Sequence, residues 1–320
     1  MEINELWHIS DTDSVLRKSQ AEPDSTELIV QSCYSLISAG TEKNVSMGLV
    51  PEQIADQMKV PFMKGKFPFP VSYGYSLVGK IIKGPQNLAN RYVHLLHPHH
   101  DFALVEEQDI FLIPEVIPPK RAVFASNMET VVNAIWDSKP QLGDQILIAG
   151  FGTVGALLAL TLSQYPGIDI KIREINPERK KFAVACGMET IDDHNSTTQF
   201  DISYHCTGSE KGLQYCIDHT KTEGKIMELS WYGNKFVSIN LGSTFHTGRK
   251  KIIATQVSTI PDDKNSSWDF RKRKDLVFKL LQNEIYDTLP CFEIPFIDSP
   301  LLFKRLRNGF INEPGLIIKY

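Results

Sequence analysis

The sequence has no cysteine pair in CxxC spacing and no Cys/His cluster of zinc-site spacing, so nothing in it reads as a zinc finger or ribbon. Its five cysteines, Cys33, Cys186, Cys206, Cys216 and Cys291, are widely scattered, and the odd count argues against a disulfide framework. No uninterrupted apolar run approaches the ~20 residues that a membrane span requires. The start, MEINELWHISDTDS, lacks a basic segment followed by an apolar one, so no signal peptide is expected. The expectation is a cytoplasmic chain with free thiols, outside the membrane. An excess of one charge is missing too, for the net charge of −4 gives no reason to expect nucleic acid or an anionic membrane as partner. Two basic clusters, Arg249-Lys250-Lys251 and Arg271-Lys272-Arg273-Lys274, read as solvated faces or helix ends.

What is present is ordinary globular material, 42% hydrophobic and 22% charged, and 320 residues are comfortable for two domains. Up to about residue 125 the texture is β-like: ELIVQSCYSLI, YSLVGKII, RYVHLLH and FALVEE are short apolar runs punctuated by Gly, Pro and Asn. From Asn127 it changes. A helix-period stretch, NMETVVNAIWDS, precedes an alternation of strands (DQILIAG, DIKIREI, DISYHCTG, GKIMELSW) with helices (TVGALLALTLSQYP, PERKKFAVACG, EKGLQYCIDHT). This order predicts a parallel sheet built by right-handed crossovers. After KKIIATQVS it stops, and a helix (WDFRKRKDLVFKLLQNE), an extended CFEIPF, a short helix (SPLLFKRLRNG) and a strand (GLIIKY) follow.

The strongest chemical signal is Gly150-Phe151-Gly152-Thr153-Val154-Gly155. A bare GxGxxG is weak evidence. This one follows an apolar strand, opens an apolar helix through Thr153 and Val154, and has Glu174 ending the next strand about 20 residues on. Gly150 permits the tight turn, Gly152 lets backbone approach a pyrophosphate, and Gly155 lets helix pack on strand. The helix N-terminus supplies free N–H groups. Glu174 can accept from ribose hydroxyls and would repel a 2′-phosphate, which favours NAD over NADP. Arg173 and Arg179 pull the other way, since an arginine can pair with that phosphate.

In this order of domains, and in SAGTE, YGYSLVG, the glycine turn with EINPER, and HCTGSEKG…GKIMELSWYG…LGSTFHTGRKKI, the chain resembles the medium-chain dehydrogenase/reductase superfamily. The likeness extends to its zinc-type alcohol and threonine dehydrogenase-like members and to the bacteriochlorophyllide dehydrogenase branch. It implies an α/β protein with a GroES-like β-rich catalytic domain over 1–126 and 273–320. A Rossmann doubly wound parallel-sheet domain is implied over 127–272. It further implies a homodimer and hydride transfer between a nicotinamide and a small alcohol or ketone. The zinc members' ligands fall here on Ala39, Tyr75 in the Gly74-Tyr75-Ser76 turn, and a position near Ser126. None is a good zinc ligand and a catalytic site needs three, so no zinc is expected.

One rival metal site remains in the residues. His94, His97, His99, His100 and Asp101 crowd into HLLHPHHD, a histidine-rich tract of the kind that binds transition metals. On a strand, His97 and His99 would share a face. The plainer reading is a strand and turn without metal, with His99 contacting substrate or moving a proton.

Without a metal, hydrogen-bond donors must stabilise the substrate oxygen. The candidates are Thr41, where zinc members keep the hydroxyl that begins their proton relay, and Tyr75, at the metal-ligand histidine position. Asn44 stands where that relay continues with a histidine. Glu42 reads as a domain-positioning residue. Glu129 and Trp136 read as packing and inter-domain contacts. His246 and Arg249 are expected near the nicotinamide half of the cofactor. Two other functions fit the same residues: a quinone or enoyl reductase using NAD(P)H, and a non-catalytic nucleotide-binding protein.

Overall fold

The computed structural model describes residues 1–24, 27–192 and 198–320. The chain divides into two compact units, the first made of Met1–Ser126, Cys291–Ile311 and Gly315–Tyr320, the second of Asn127–Pro290 and Asn312–Pro314.

The first unit is β-rich. Its elements are β1 (Glu2–His8), β2 (Ser14–Gln20), β3 (Leu28–Leu36), α1 (Ala39–Ser46), β4 (Lys64–Gly65), β5 (Val71–Ser72) and β6 (Leu77–Lys83). Then come β7 (Tyr92–Leu95), β8 (Phe102–Val105), β9 (Ile110–Leu112) and α2 (Pro119–Ala122). The β-branched and aromatic runs pair mostly with antiparallel neighbours: β2-β1-β5-β4 form one sheet, and β3, β6, β7 and β9 lie side by side in another. Apolar residues from β3, β6, β7 and β8, including Val30, Leu77, Ile81, Val93 and Ala103, close one core.

The second unit begins in α3 (Ala125–Ser138). It continues with β10 (Gln145–Ala149), α4 (Thr153–Leu162), β11 (Asp169–Arg173), α5 (Pro177–Ala185), β12 (Glu189–Ile191), β13 (Phe200–His205) and α6 (Glu210–His219). After these come β14 (Thr220–Glu228), α7 (Thr244–Thr247), β15 (Lys251–Ala254) and α8 (Phe270–Leu281). The six strands are parallel in the order β12-β11-β10-β13-β14-β15. This is the doubly wound arrangement, and its direction switches between β10 and β13. Ile146, Leu147, Ile148 and Ala149 of β10 are completely buried, as a central strand covered on both faces requires. Short β12 escapes the sequence reading because its three residues carry no alternation of their own.

The chain returns to the first unit with β16 (Cys291–Pro295), α9 (Ser299–Arg307) and β17 (Gly315–Lys319), β17 pairing with β3. The return therefore starts at Cys291 and not at residue 273, and α8 belongs to the second unit. Apolar Val277, Phe278 and Leu281 of α8 are buried, and so are two of its cations. Glu129 on α3 accepts from Arg273 Nε at 3.2 Å and from Lys274 Nζ at 2.6 Å, while Arg273 Nη1 donates to Asn133 at 2.8 Å. Arg273 and Lys274, expected on a solvated face, are 3% and 1% exposed, and Lys250 of the other basic cluster is buried too. A sequence run of like charge does not reveal that one acidic residue 144 positions away neutralises it. Glu129→Ala leaves two buried cations without their carboxylate and is expected to cost about 3–5 kcal/mol of stability. A urea midpoint that barely moves would show instead that water reaches the cluster.

No helix among the described residues is long and apolar enough to cross a membrane.

Candidate functional site

In the second unit the glycine turn sits at the carboxyl end of β10, where ligands bind in doubly wound sheets. Gly150 takes φ +98°, a left-handed conformation that disfavours any side chain. At Gly155 an added Cβ would lie 2.0 Å from the Gly150 carbonyl oxygen, so only glycine lets α4 approach the turn. At Gly152 an added Cβ would meet nothing within 4 Å, which leaves open space in front of the helix N-terminus. No side chain caps that end of α4. The turn thus fits a dinucleotide pyrophosphate.

Glu174, just past β11, is fixed by two backbone donors, Phe151 N–H to Oε2 at 2.8 Å and Asn176 N–H to Oε1 at 2.9 Å. A carboxylate oxygen accepts more than one bond, so ribose hydroxyls can still be received. Thr153 does not face outward. It is buried and its hydroxyl donates to the Pro314 carbonyl, while Val154 is partly buried at the start of α4. Arg179, on the first turn of α5, donates from Nε to the Asn312 carbonyl at 2.9 Å. It is placed by the Asn176 cap, whose side chain accepts from Glu178 and Arg179 N–H.

His246 and Arg249 fall elsewhere. They precede β15, so they stand at the amino edge of the parallel sheet, opposite the edge that carries Gly150. Arg249 pairs there with Glu223. The segment entering a parallel strand always lies at that edge, which the repeated Gly and Arg signals in FHTGR could not disclose. Sequence reasoning also missed a buried histidine at the carboxyl edge. His205, the last residue of β13, lies 2.8 Å from Glu228 Oε1 through Nδ1 and 2.6 Å from Thr207 Oγ1 through Nε2, and the Tyr232 hydroxyl donates to Glu228 at 3.2 Å. Trp136 packs on Trp268 at 5.0 Å between ring centres, so it and Glu129 both serve the second unit.

In the first unit the SAGTE segment is the opening of helix α1 and not a loop. Thr41 comes one turn in, and its hydroxyl and that of Ser38 both hydrogen-bond the Tyr75 phenol. Burial raises the Tyr75 pKa well above its ordinary value and the nearby Glu42 charge adds to this, while the Ser38 and Thr41 hydrogen bonds lower it. Tyr75 stacks edge-on against Tyr73 at 6.0 Å. The Ser126 hydroxyl donates to the Tyr75 carbonyl at 2.6 Å and lies 3.3 Å from His94 Nε2, which also meets Ser76 at 3.2 Å.

Two of the three positions aligned with zinc ligands, Tyr75 and Ser126, are thus linked by a hydrogen bond, and each is engaged as a neutral group. Ala39 contributes only a methyl, the Tyr75 phenol is held by two hydroxyls, and the Ser126 hydroxyl is committed to a carbonyl. These residues do not fit a zinc ion. Among the described residues no group of three or more His, Cys, Asp or Glu side chains is arranged to hold a metal.

The histidine tract leaves the strand before His97, and its rings part company. His97 Nδ1 bonds the Pro98 carbonyl at 2.9 Å, with its ring against Phe62 and His100, and His100 Nε2 meets Ser72 at 2.9 Å. His99 instead reaches Glu42 at 2.7 Å through Nε2. His97 and His99 therefore share no common ligand position. Burial depresses the pKa of His97 to about 4, and of His100 well below the usual value.

No protein-family model matches the chain. Over 162 residues, 44% of this chain and 47% of the relative, it is 23% identical to an L-threonine 3-dehydrogenase of Rhizobium rhizogenes. Over 179 residues, 51% of this chain and 49% of the relative, it is 23% identical to the zinc-type alcohol dehydrogenase-like protein YphC of Escherichia coli. The match spans about half the length of these curated relatives. Among solved structures it is similar to L-idonate 5-dehydrogenase from Escherichia coli, with TM-score 0.79 and 12% identity over 100% of this chain and 99% of that one. It is similar also to the short chain alcohol dehydrogenase rspB from E. coli CFT073 complexed with NADH, with TM-score 0.75 and 12% identity over 100% and 99%. A third is S. aureus TarJ in complex with NADPH, with TM-score 0.71 and 18% identity over 100% and 99%. At these identities the likeness establishes the fold.

Proposed function

From a chain with the medium-chain dehydrogenase/reductase fold, we propose a nicotinamide-dependent oxidoreductase that interconverts an alcohol and a carbonyl without zinc. The observation that carries this reading is the pairing of an intact glycine turn with a vacated ligand set. Gly150, Gly152 and Gly155 keep the geometry a pyrophosphate needs, while the zinc-ligand positions hold Ala39, Tyr75 and Ser126.

The nicotinamide, when bound, supplies or accepts the hydride. Everything else falls to the chain's own residues. The turn and the α4 N-terminus receive the pyrophosphate, and Glu174 receives the adenosine ribose, which supports NAD over NADP because its carboxylate repels a 2′-phosphate. Solved neighbours carry NADH in one case and NADPH in another, so the acid at position 174 is the argument for NAD here.

Tyr75 donates to the substrate oxygen, with Thr41 and Ser38 orienting the phenol. Burial keeps the proton on Tyr75 at neutral pH, so it acts as donor and not as base. This arrangement equips the site for carbonyl reduction, where charge grows on oxygen as hydride arrives. A hydrogen-bond donor at that oxygen is worth roughly 3–4 kcal/mol.

The test is NADH fluorescence titration of protein treated with a chelator. Tight binding without metal is expected, and Gly155→Val is expected to abolish it by driving a side chain into the Gly150 carbonyl. Fluorescence that does not respond in the unaltered protein would sink the proposal.

A further inference from the structure

Between Ile311 and Gly315, which both belong to the first unit, Asn312, Glu313 and Pro314 belong to the second. This short segment offers acceptors to the residues around the glycine turn. The Asn312 carbonyl accepts from Arg179 Nε at 2.9 Å, and the Asn312 side-chain oxygen accepts from Asn176 Nδ2 at 2.8 Å. The Pro314 carbonyl accepts from the Thr153 hydroxyl. Thr153 opens α4, while Asn176 and Arg179 stand at the start of α5. A segment more than 130 positions further along the chain than its partners thus lies against the residues that serve the adenosine end of a dinucleotide.

The orientation of each amide follows from its partners. Asn176 is the N-cap of α5, and its Oδ1 accepts from the Glu178 N–H at 2.9 Å and the Arg179 N–H at 3.2 Å. With that oxygen turned to the helix, its NH2 faces the other way and needs an acceptor. Asn312 Oδ1 supplies it. The backbone N–H of the same Asn176 donates to Glu174 Oε1 at 2.9 Å, while the Phe151 N–H holds Oε2 at 2.8 Å. One carboxylate oxygen is fixed by the glycine turn, and the other by a residue that Asn312 holds in place.

Resting on the oxidoreductase reading, we infer that Asn312 is a positioning residue for coenzyme choice, acting through Asn176 on Glu174. A carboxylate discriminates between a ribose hydroxyl and a 2′-phosphate only where its direction is fixed. Held at both oxygens, Glu174 presents acceptors to the hydroxyls and repels a phosphate in the same place. Released at Oε1, it turns toward water, which weakens the ribose contact and relieves the repulsion together. The Arg179 bond is of a different kind, since it uses the Asn312 backbone carbonyl and survives replacement of the side chain.

The experiment compares Kd for NADH and for NADPH, by fluorescence titration of the full chain. Asn312→Ala removes the acceptor for Asn176 Nδ2 and leaves the Arg179 bond. It is expected to weaken NADH binding about 3–10-fold, the net worth of one hydrogen bond, with NADPH binding unchanged or tighter. Asn312→Asp keeps an acceptor at that point and is expected to retain the preference of the unaltered protein. Asn176→Ser keeps a cap on α5 but has no NH2 to donate, so it is expected to narrow the preference as Asn312→Ala does. In a Glu174→Ala background Asn312→Ala is expected to leave the preference where it stands, an outcome that a general loss of packing would not give. A preference equal in the unaltered and Asn312→Ala proteins overturns the inference and leaves the oxidoreductase reading standing. So does a preference narrowed equally by Asn312→Ala and Asn312→Asp. An unaltered protein that binds neither nucleotide sinks that reading, and the inference with it.

Discussion

Tyr75→Phe combined with Thr41→Val is expected to lower carbonyl-reduction turnover by about 10²–10³-fold and to leave NADH affinity unchanged. Each hydroxyl is a donor of the kind whose loss costs roughly 100–1000-fold when it faces developing charge. The two losses do not multiply, because the groups share a hydrogen bond: Thr41 orients the phenol that Tyr75 presents. Thr41→Val alone leaves Ser38 bonded to Tyr75, so its cost is expected to be the smaller, about tenfold. Tyr75→Phe alone removes the donor itself and should approach the double variant. NADH affinity is the internal control, since Gly150, Gly152, Gly155 and Glu174 all belong to the second unit, whereas Thr41 and Tyr75 belong to the first. Steady-state rates on a panel of ketones and aldehydes, alongside NADH titration, give both numbers. A double variant that turns over as fast as the parent would retire both donors.

The parts of the molecule legible in the sequence are those in which local pattern and function coincide. Gly150 to Gly155 could be read because a tight turn, a close approach and an open helix end each demand glycine at a fixed spacing. The central strand β10 was legible because burial on both faces leaves it almost wholly apolar, and the others because strands alternate with helices at a regular spacing. The substitutions at Ala39, Tyr75 and Ser126 could be read as a loss of ligands, but not what replaced them. That Ser38 joins Thr41 on the phenol depends on where helix α1 starts, and a run of SAGTE does not say whether it is loop or helix. The Glu42–His99 pair was hidden for a different reason. The two residues are 57 positions apart, and only the left-handed backbone at Gly74 makes room for their meeting. The domain return lies at Cys291 and not at residue 273, and the buried pairing of Arg273 and Lys274 with distant Glu129 inside the second unit was equally hidden. Sequence periodicity reports which face of an element is apolar. It does not report which distant acid neutralises a buried base.

The buried histidines of the first unit carry an expected consequence of their own, which is sensitivity of that unit to acid. His8, His97 and His100 are all buried there, with folded-state pKa values of about 3, about 4 and well below the usual value, against about 6.5 in an unfolded chain. For His8, burial is the main cause, with the Arg307 charge adding to it. Each group is depressed on folding, so between pH 6.5 and about 4 the unfolded chain binds protons that the folded one refuses. Stability is therefore fully present above pH 6.5 and is lost as pH falls. Lowering the pH from 7 to 5 costs about 2 kcal/mol for each of His8 and His97, or about 4 kcal/mol for the two, and His100 acts in the same direction. That is a large part of the whole stability of many domains, roughly 5–15 kcal/mol. Urea midpoints at the two pH values, with hydrogen exchange followed in β1 and β3, are expected to show the first unit loosening at pH 5. His97→Gln and His100→Gln should flatten the acid limb, since glutamine has no proton to gain. A midpoint equal at pH 7 and pH 5 would mean that water reaches these rings and that their burial carries no such cost.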